Sequence, residues 1–379
     1  MNNNEAITKA ISTTTISTGV LNPDQAQAFV QQVFEATPML TAARRVLMGA
    51  RKMNVDKIGV GSRLLRKRPE GTTVAGMATL AAAQVQLDAV NLSLPWEITE
   101  DAIRFNMEGE RFEETVISLM TRQVGVDLND LAWNGNTVAP SLTTLSAALS
   151  SSATSISVAS TAGYPESGVL EIDSERIFYA SRSTGSFGSL IRGFDGTVAA
   201  NHSNSATVGM ATDWLTIALN GWLKQSSTTA HVIEGSTISG GAMDKGQFKA
   251  AIAAMPTKYL TTASANGLRW IMHPRTAFAF YDSLVDHVAS SGDLILLGAG
   301  GKAPYGYPIL EDPAVPIGAL VFTDPRNLII GLATDVRVSR DVGSKDVISR
   351  GVRYYQIDLA ADVKIEEADA MVVTTGITV

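Results

Sequence analysis

Polar and apolar residues alternate over eleven positions from Gln84 to Leu94. A period of two predicts one long strand with two unlike faces. Turn signals at Gly71 and Gly76 lie upstream, so the strand is expected to return from an extended, projecting hairpin. The pattern then changes to helical spacing. From about Glu110 to Trp133, Val116, Met120, Val124, Leu128 and Leu131 form one apolar stripe, widened by Ile117 and Leu119. Glu110, Glu113 and Glu114 sit at the positive end of its dipole. Gly125 weakens the helix by about 1 kcal/mol relative to alanine, which suggests a bend or a close contact there. At about 1.5 Å per residue this helix is a spine roughly 35 Å long.

Weaker signals complete the outline. Residues 1–22 are rich in Asn, Ser and Thr and read as an arm; Asn22-Pro23-Asp24 starts a helix that stops before Pro38. An apolar and basic segment runs from Met39 to Met53. Helices are expected over Asp244–Ala254 and from His273-Pro274 to about His287, with a buried strand at Leu268–Met272. Short strands follow at Ala319–Phe322, Leu328–Ile330 and Val336–Val338, then longer ones at Val352–Ile365 and Ala370–Thr375. Helices followed by strands indicate an α+β body. Residues 138–212 differ in kind. Eleven of the twenty residues from Ser141 to Ser160 are Ser or Thr, and short alternating runs are separated by Gly163, Pro165, Gly168, Gly185, Gly188 and Asp195-Gly196. This is the pattern of a small all-β module inserted into the body.

Composition narrows the function. The 379 residues are 45% apolar and 18% charged, which is ample for a packed core. There are no cysteines, so disulfides, thiolate nucleophiles and Cys-ligated metals are excluded. The net charge of -7 argues against a dedicated nucleic-acid binder. The charge is uneven. Nine basic residues and one acid lie between Arg44 and Arg68, leaving 21 bases against 36 acids elsewhere. Three readings stay open for that segment: head-to-tail association of copies, a solvated charged loop, or contact with DNA. The N-terminus lacks a basic region before an apolar stretch and no run reaches the roughly 18 apolar residues of a membrane span, so a soluble, intracellularly made protein is expected.

Catalytic chemistry finds no support. His202, His231, His273 and His287 show no metal-ligand spacing. A capping role is expected for His273 and an exposed turn for His202. Gly298-Ala299-Gly300-Gly301-Lys302 lacks the Ser/Thr that a phosphate loop requires after its lysine, and is read as an intersubunit loop. Glu366, Glu367 and Asp369 are acidic neighbours with no partner carboxylate that spacing identifies. No catalytic, cofactor or metal residue is assigned.

Two segments carry a resemblance. The first is Trp270-Ile271-Met272-His273-Pro274-Arg275-Thr276, followed by Ser291-Gly292-Asp293 and Tyr305-Gly306-Tyr307-Pro308-Ile309. The second runs from Val352-Arg353-Tyr354-Tyr355 through Ala370-Met371-Val372-Val373. With the order of elements, they resemble the major capsid protein of tailed double-stranded-DNA bacteriophages, the Hong Kong 97-type fold, over about 25–137 and 213–379. The resemblance implies an N-terminal arm (1–54), an extended loop (55–97), a peripheral domain with the spine helix (98–137), an axial domain (213–335) and closing peripheral strands (336–379). The insert (138–212) is similar to small β modules of phage structural proteins at Ile172-Asp173-Ser174-Glu175 and Arg192-Gly193-Phe194-Asp195-Gly196-Thr197.

That family's subunits assemble with copies of themselves into pentamers and hexamers. The resemblance therefore implies an icosahedral shell enclosing double-stranded DNA without reading its sequence, a virion protein made in the host cytoplasm. Scaffolding, portal and decoration proteins are the implied partners, with no membrane and no cofactor. Arg44, Arg45, Arg63, Arg66, Lys67 and Arg68 are the candidate intersubunit contacts. Lys67 suits the lysine of the covalent cross-link some members form, but Val347–Gly351 offers no asparagine, so no cross-link is expected. Alternatives are an encapsulin-like compartment shell and a tail or fibre protein. For the insert, surface recognition and a stabilising appendage stand side by side.

Overall fold

Two kinds of strand pattern, one alternating and one continuously apolar, build two sheets around a shared core. A computed structural model describes residues 37–59, 81–105, 111–165, 168–212, 214–229, 231–260, 267–285, 303–333 and 337–378. The arm over 1–22, the helix expected over 22–36, Arg63, Arg66, Lys67, Arg68, residues 298–302 and His287 lie outside the described residues.

The chain enters through α1 (Pro38–Ala42), β1 (Arg44–Met48) and β2 (Lys52–Gly59), and returns by β3 (Ala81–Asp88) and β4 (Val90–Thr99). A short α2 (Glu100–Phe105) precedes the spine, α3 (Arg111–Asn134). The insert contributes β5 (Thr143–Thr144), β6 (Ser155–Ser157), β7 (Gly168–Ile172), β8 (Glu175–Ser183), β9 (Ser186–Ile191) and β10 (Thr207–Met210). The body resumes with α4 (Trp222–Thr229), β11 (His231–Glu234), α5 (Lys245–Ala254), β12 (Arg269–Met272) and α6 (Pro274–Val285). It closes with β13 (Ile309–Glu311), β14 (Leu320–Thr323), β15 (Leu328–Ala333), β16 (Arg337–Asp341), α7 (Lys345–Arg350), β17 (Val352–Ile365) and β18 (Met371–Thr375).

The alternating β17 is the axis of the first sheet. Antiparallel β4 lies along one edge, from Thr99 opposite Val352 to Val90 opposite Ala361. β16 and β15 lie end to end on the other edge, and β1 adds parallel to β15. Tyr355, Ile357, Leu359, Ala361 and Val363 face inward onto α3 and its neighbours, while Gln356, Asp358 and Ala360 between them are half-buried and Asp362 is buried on the other face, where it accepts from Asp88 N. The second sheet has the order β11-β18-β14-β12-β13. Its central strands β18, β14 and β12 are apolar almost without alternation because both faces are covered, whereas the edge strands β11 and β13 are less buried. Ile271, Val321, Met371 and Val373 join the spine core, while Trp270, Met272, Leu320, Phe322 and Val372 pack against α5 and α6.

Three expectations change. The strand expected over 84–94 is two strands. The chain breaks at buried Ala89, where Asp88 N donates to Asp362 Oδ2 (2.7 Å) and Ala89 N to Arg51 O (2.9 Å). β3 pairs with β2 as a hairpin and β4 with β17. Met48, Val55, Leu87, Ala89 and Ile329 root the hairpin on the first sheet. Second, the expected division at 335/336 is not a division between sheets. β15 belongs with β17, and β18 sits between β11 and β14, where its doubly apolar sequence fills a position covered on both faces. Third, Leu119 on α3 is 59% exposed and lies outside the packed stripe.

The insert leaves and rejoins the body through a seam of close backbone contacts. Asn136 N donates to Thr216 O (2.6 Å) and Gly221 N to Gly135 O (2.7 Å). A Cβ on Gly221 would lie 2.7 Å from Gly135 N and 2.8 Å from the carbonyl oxygens of Ala132 and Trp133. Gly221→Ala is expected to lower stability by about 1–3 kcal/mol, the range for overpacking. A denaturant midpoint equal to the parent's would show that the seam yields.

Candidate assembly surfaces and the inserted barrel

The basic segment finds part of its charge balance within the subunit. Arg44 Nη1 donates to Glu366 Oε2 at 2.7 Å, and Lys57 pairs with Glu367. Lys52 and Arg51 flank Asp88 at 2.8 and 3.9 Å. Glu366 and Glu367, acidic neighbours in the sequence, thus hold β1 and β2 against the end of β17. Such half-exposed pairs contribute about 0–1 kcal/mol each, so they position the hairpin root more than they stabilise it. Arg45 is exposed beside Arg44 on β1.

A second charged cluster anchors the spine. Glu113, 4% exposed, accepts from Arg353 Nη1 at 2.9 Å and faces Arg340 Nε at 3.1 Å. Arg353 Nε also donates to Glu100 Oε1 at 2.8 Å. Glu113 therefore does more than meet the helix dipole: it ties the first turn of α3 to β16 and β17. The hydrogen bond from Arg353 holds the Glu100 carboxyl below its usual range.

The six strands of the insert form a closed barrel. Hydrogen bonding runs in the order β5-β10-β7-β8-β9-β6. The ends join through Ser146 N to Ser157 O, Ala159 N to Thr144 O and the Leu145–Val158 bridge. Closure leaves no open sheet edge. Leu170, Ile172, Ile177, Tyr179, Phe187 and Val208 fill the interior.

One buried carboxylate fastens the loop that follows β9. Glu175 is fully buried at the start of β8. Its oxygens accept from Arg192 Nε and Nη2 (both 2.8 Å), Gly193 N (2.9 Å) and Ala200 N (3.0 Å). His202 Nε2 lies 2.8 Å from Glu175 Oε2, and its Nδ1 lies 2.7 Å from Asp173 Oδ2. Burial works against ionisation of Glu175. Arg192, the Ala200 amide, His202 and the Gly193 amide outweigh it and lower the carboxyl to about 2. Thr197 Oγ1 accepts from Arg176 N, and Asp195 pairs with the Arg176 side chain. His202 is therefore not the exposed turn residue its surroundings in sequence suggest. It is 4% exposed, and Leu149 and His202 exchange backbone hydrogen bonds. The residues singled out in 172–175 and 192–197 are internal fasteners of the barrel.

His273 caps α6: its Nδ1 accepts from Arg275 N at 2.9 Å. His231 lies on β11. Among the described residues no group of three or more His, Asp or Glu is placed to hold a metal ion, and no helix is long and apolar enough to cross a membrane. Because the insert is closed on itself and its two connections lie side by side, replacing 138–212 with a short Gly-Ser linker is expected to leave the body folded. Circular dichroism and a single cooperative melt check this; an aggregated or unfolded product would contradict it.

No family model matches the chain. The chain is 23% identical to the putative prophage capsid protein YqbE of Bacillus subtilis (strain 168), over 98% of this chain and 97% of that one. Among solved structures, the satellite phage P4 procapsid including size determination (Sid) protein matches with a TM-score of 0.55 at 13% identity. The match covers 93% of this chain and 90% of that one.

Proposed function

We propose that this chain is the major capsid protein of a tailed double-stranded-DNA bacteriophage or prophage, a subunit of the Hong Kong 97-type fold that builds the icosahedral head. The chain has that α+β capsid fold. The observation that carries the functional reading is its likeness to a putative prophage capsid protein over nearly the whole length of both chains. A shell subunit must bury surface against several neighbours, and standard interfaces bury about 1,600 Å² each. The rooted β2–β3 hairpin and the spine supply elongated elements for that purpose.

In this reading the subunits form pentamers and hexamers. The arm (1–54) and extended loop (55–97) reach neighbouring copies, with Arg44, Arg45, Arg63, Arg66, Lys67 and Arg68 as contact residues. The spine region (98–137) with the first-sheet strands β15, β16 and β17 supplies the peripheral part, and the second sheet with α5 and α6, β18 included, the axial part, with the barrel 138–212 on the outer face. The protein is structural rather than catalytic, made in the host cytoplasm and ending in the virion. Scaffolding, portal and decoration proteins are its partners, and the DNA is enclosed without sequence-specific contact. A net charge of -7 per copy keeps the wall from trapping phosphate during filling. Sedimentation velocity of the purified chain tests the assembly unit. Species of five and six copies are expected; a monomer at every concentration and ionic strength would contradict the reading.

A further inference from the structure

We propose that His202 is a proton-dependent latch in the inserted barrel: its charged ring ties the turn at Asp173 to Glu175, and its neutral ring lets that turn go. Each ring nitrogen faces a carboxylate oxygen, Nδ1 at 2.7 Å from Asp173 Oδ2 and Nε2 at 2.8 Å from Glu175 Oε2. A carboxylate only accepts, and a neutral imidazole carries a single N–H. Only the doubly protonated ring therefore donates to both.

The surroundings fix the ring and balance its charge. His202 is buried, and it exchanges backbone hydrogen bonds with Leu149. The charged groups around it are Asp173 from the β7–β8 turn, Glu175 from β8 and Arg192 after β9, which donates to both Glu175 oxygens. Arg176 and Asp195 pair with each other, and the 146–152 segment that carries Leu149 has no titratable side chain. Two carboxylates thus meet one guanidinium and one imidazolium, and the set is neutral. Loss of the ring proton leaves an excess negative charge and points a lone pair at a carboxylate oxygen, which burial makes costly.

The two contacts do not fail alike. Glu175 is fully buried and also holds the Gly193 and Ala200 amides. Against burial, its donors lower its carboxyl to about 2, so it keeps its charge over the range from about pH 5 to about pH 8 in which imidazole rings titrate. The Asp173 side chain is 64% exposed and is free to turn to water. A neutral His202 keeps Nε2–H on Glu175, and with it the loop over 193–202, and releases Asp173. Folding holds the ring's proton in two bonds, so the stability this contact adds is present at the lower pH and lost as pH rises.

The test melts the full chain labelled with 5-fluorotryptophan. Trp214 packs on Phe178 of the barrel, and its fluorine resonance, assigned by Trp214→Phe, follows the barrel alone. Raising the pH from about 5 to about 8 is expected to lower the parent's barrel midpoint by about 5 °C, the size of one charge-assisted hydrogen bond in a domain this small. Asp173→Asn should hold the turn at both pH values, because its amide accepts from a protonated Nδ1 and donates to a bare one; its midpoint stays level. Asp173→Ala removes the contact, so its midpoint should already be low at the acid end and fall no further. His231 and His273 lie in the body and are common to all three proteins. A parent midpoint that does not fall, an Asn variant that falls as the parent does, or an Ala variant matching the parent at the lower pH would overturn the proposal. Barrel melting is independent of whether the subunit builds a shell, so failure here leaves the capsid reading standing.

Discussion

Glu175→Ala will destabilise the inserted barrel by about 3–5 kcal/mol, the range for removing one member of a buried charged set. The substitution leaves Arg192 and His202 buried without their carboxylate, and frees the Gly193 and Ala200 amides at the same stroke. The loop over 193–202 loses its anchor to β8. Trp214 packs edge-on to Phe178 on the barrel surface at 5.9 Å, so its own fluorine resonance in 5-fluorotryptophan-labelled protein reports the barrel apart from the other four tryptophans. An early melt by that signal, with far-ultraviolet dichroism of the body retained, is the expected result; a wild-type midpoint would contradict the buried clasp. The same carboxylate sets an acid limit. Its folded pKa of about 2 lies below its ordinary 4.5, so its contribution is complete above pH 4.5 and fades as pH falls toward 2. By linkage this amounts to about 3 kcal/mol.

Trp133→Ala will be the comparably damaging substitution in the body. Trp133 is fully buried near the end of α3, edge-on to Trp222 at 5.0 Å. Its Nε1 donates to the buried Asp312 Oδ2 at 2.9 Å, alongside Asn129 Nδ2 at 2.8 Å to Oδ1. Loss of the ring opens a cavity worth about 3–5 kcal/mol, and withdrawing a donor from a buried carboxylate adds about 1–3 kcal/mol. Trp133→Phe separates the two effects, because it keeps most of the volume and removes only the donor. Chemical denaturation should rank wild type above Phe and Phe above Ala. Indistinguishable Phe and Ala variants would show that packing around the ring contributes little.

The elements most legible in the sequence are those whose burial is periodic. β17 spans Val352–Ile365 as expected because one face is core and the other is not. The spine is likewise legible as Arg111–Asn134. What was not legible depends on partners distant in sequence. Ala89 and Val90 are adjacent apolar residues inside the 84–94 alternation, and that single irregularity marks where the chain leaves the hairpin for the first sheet. The apolar runs at 328–333 and 371–375 look alike, yet they enter different sheets, because only the neighbours waiting on each side distinguish them. His202 reads as a turn residue until Glu175, twenty-seven positions earlier, is brought against it. Glu366 and Glu367 become intelligible only beside Arg44 and Lys57.

The central claim is that this subunit closes into a shell, and negative-stain electron microscopy of the purified chain tests it most directly. The account predicts uniform closed particles, or five- and six-membered rings that close on dialysis into assembly buffer. A monodisperse monomer or dimer that never assembles, even when phage lysate is added, would contradict it.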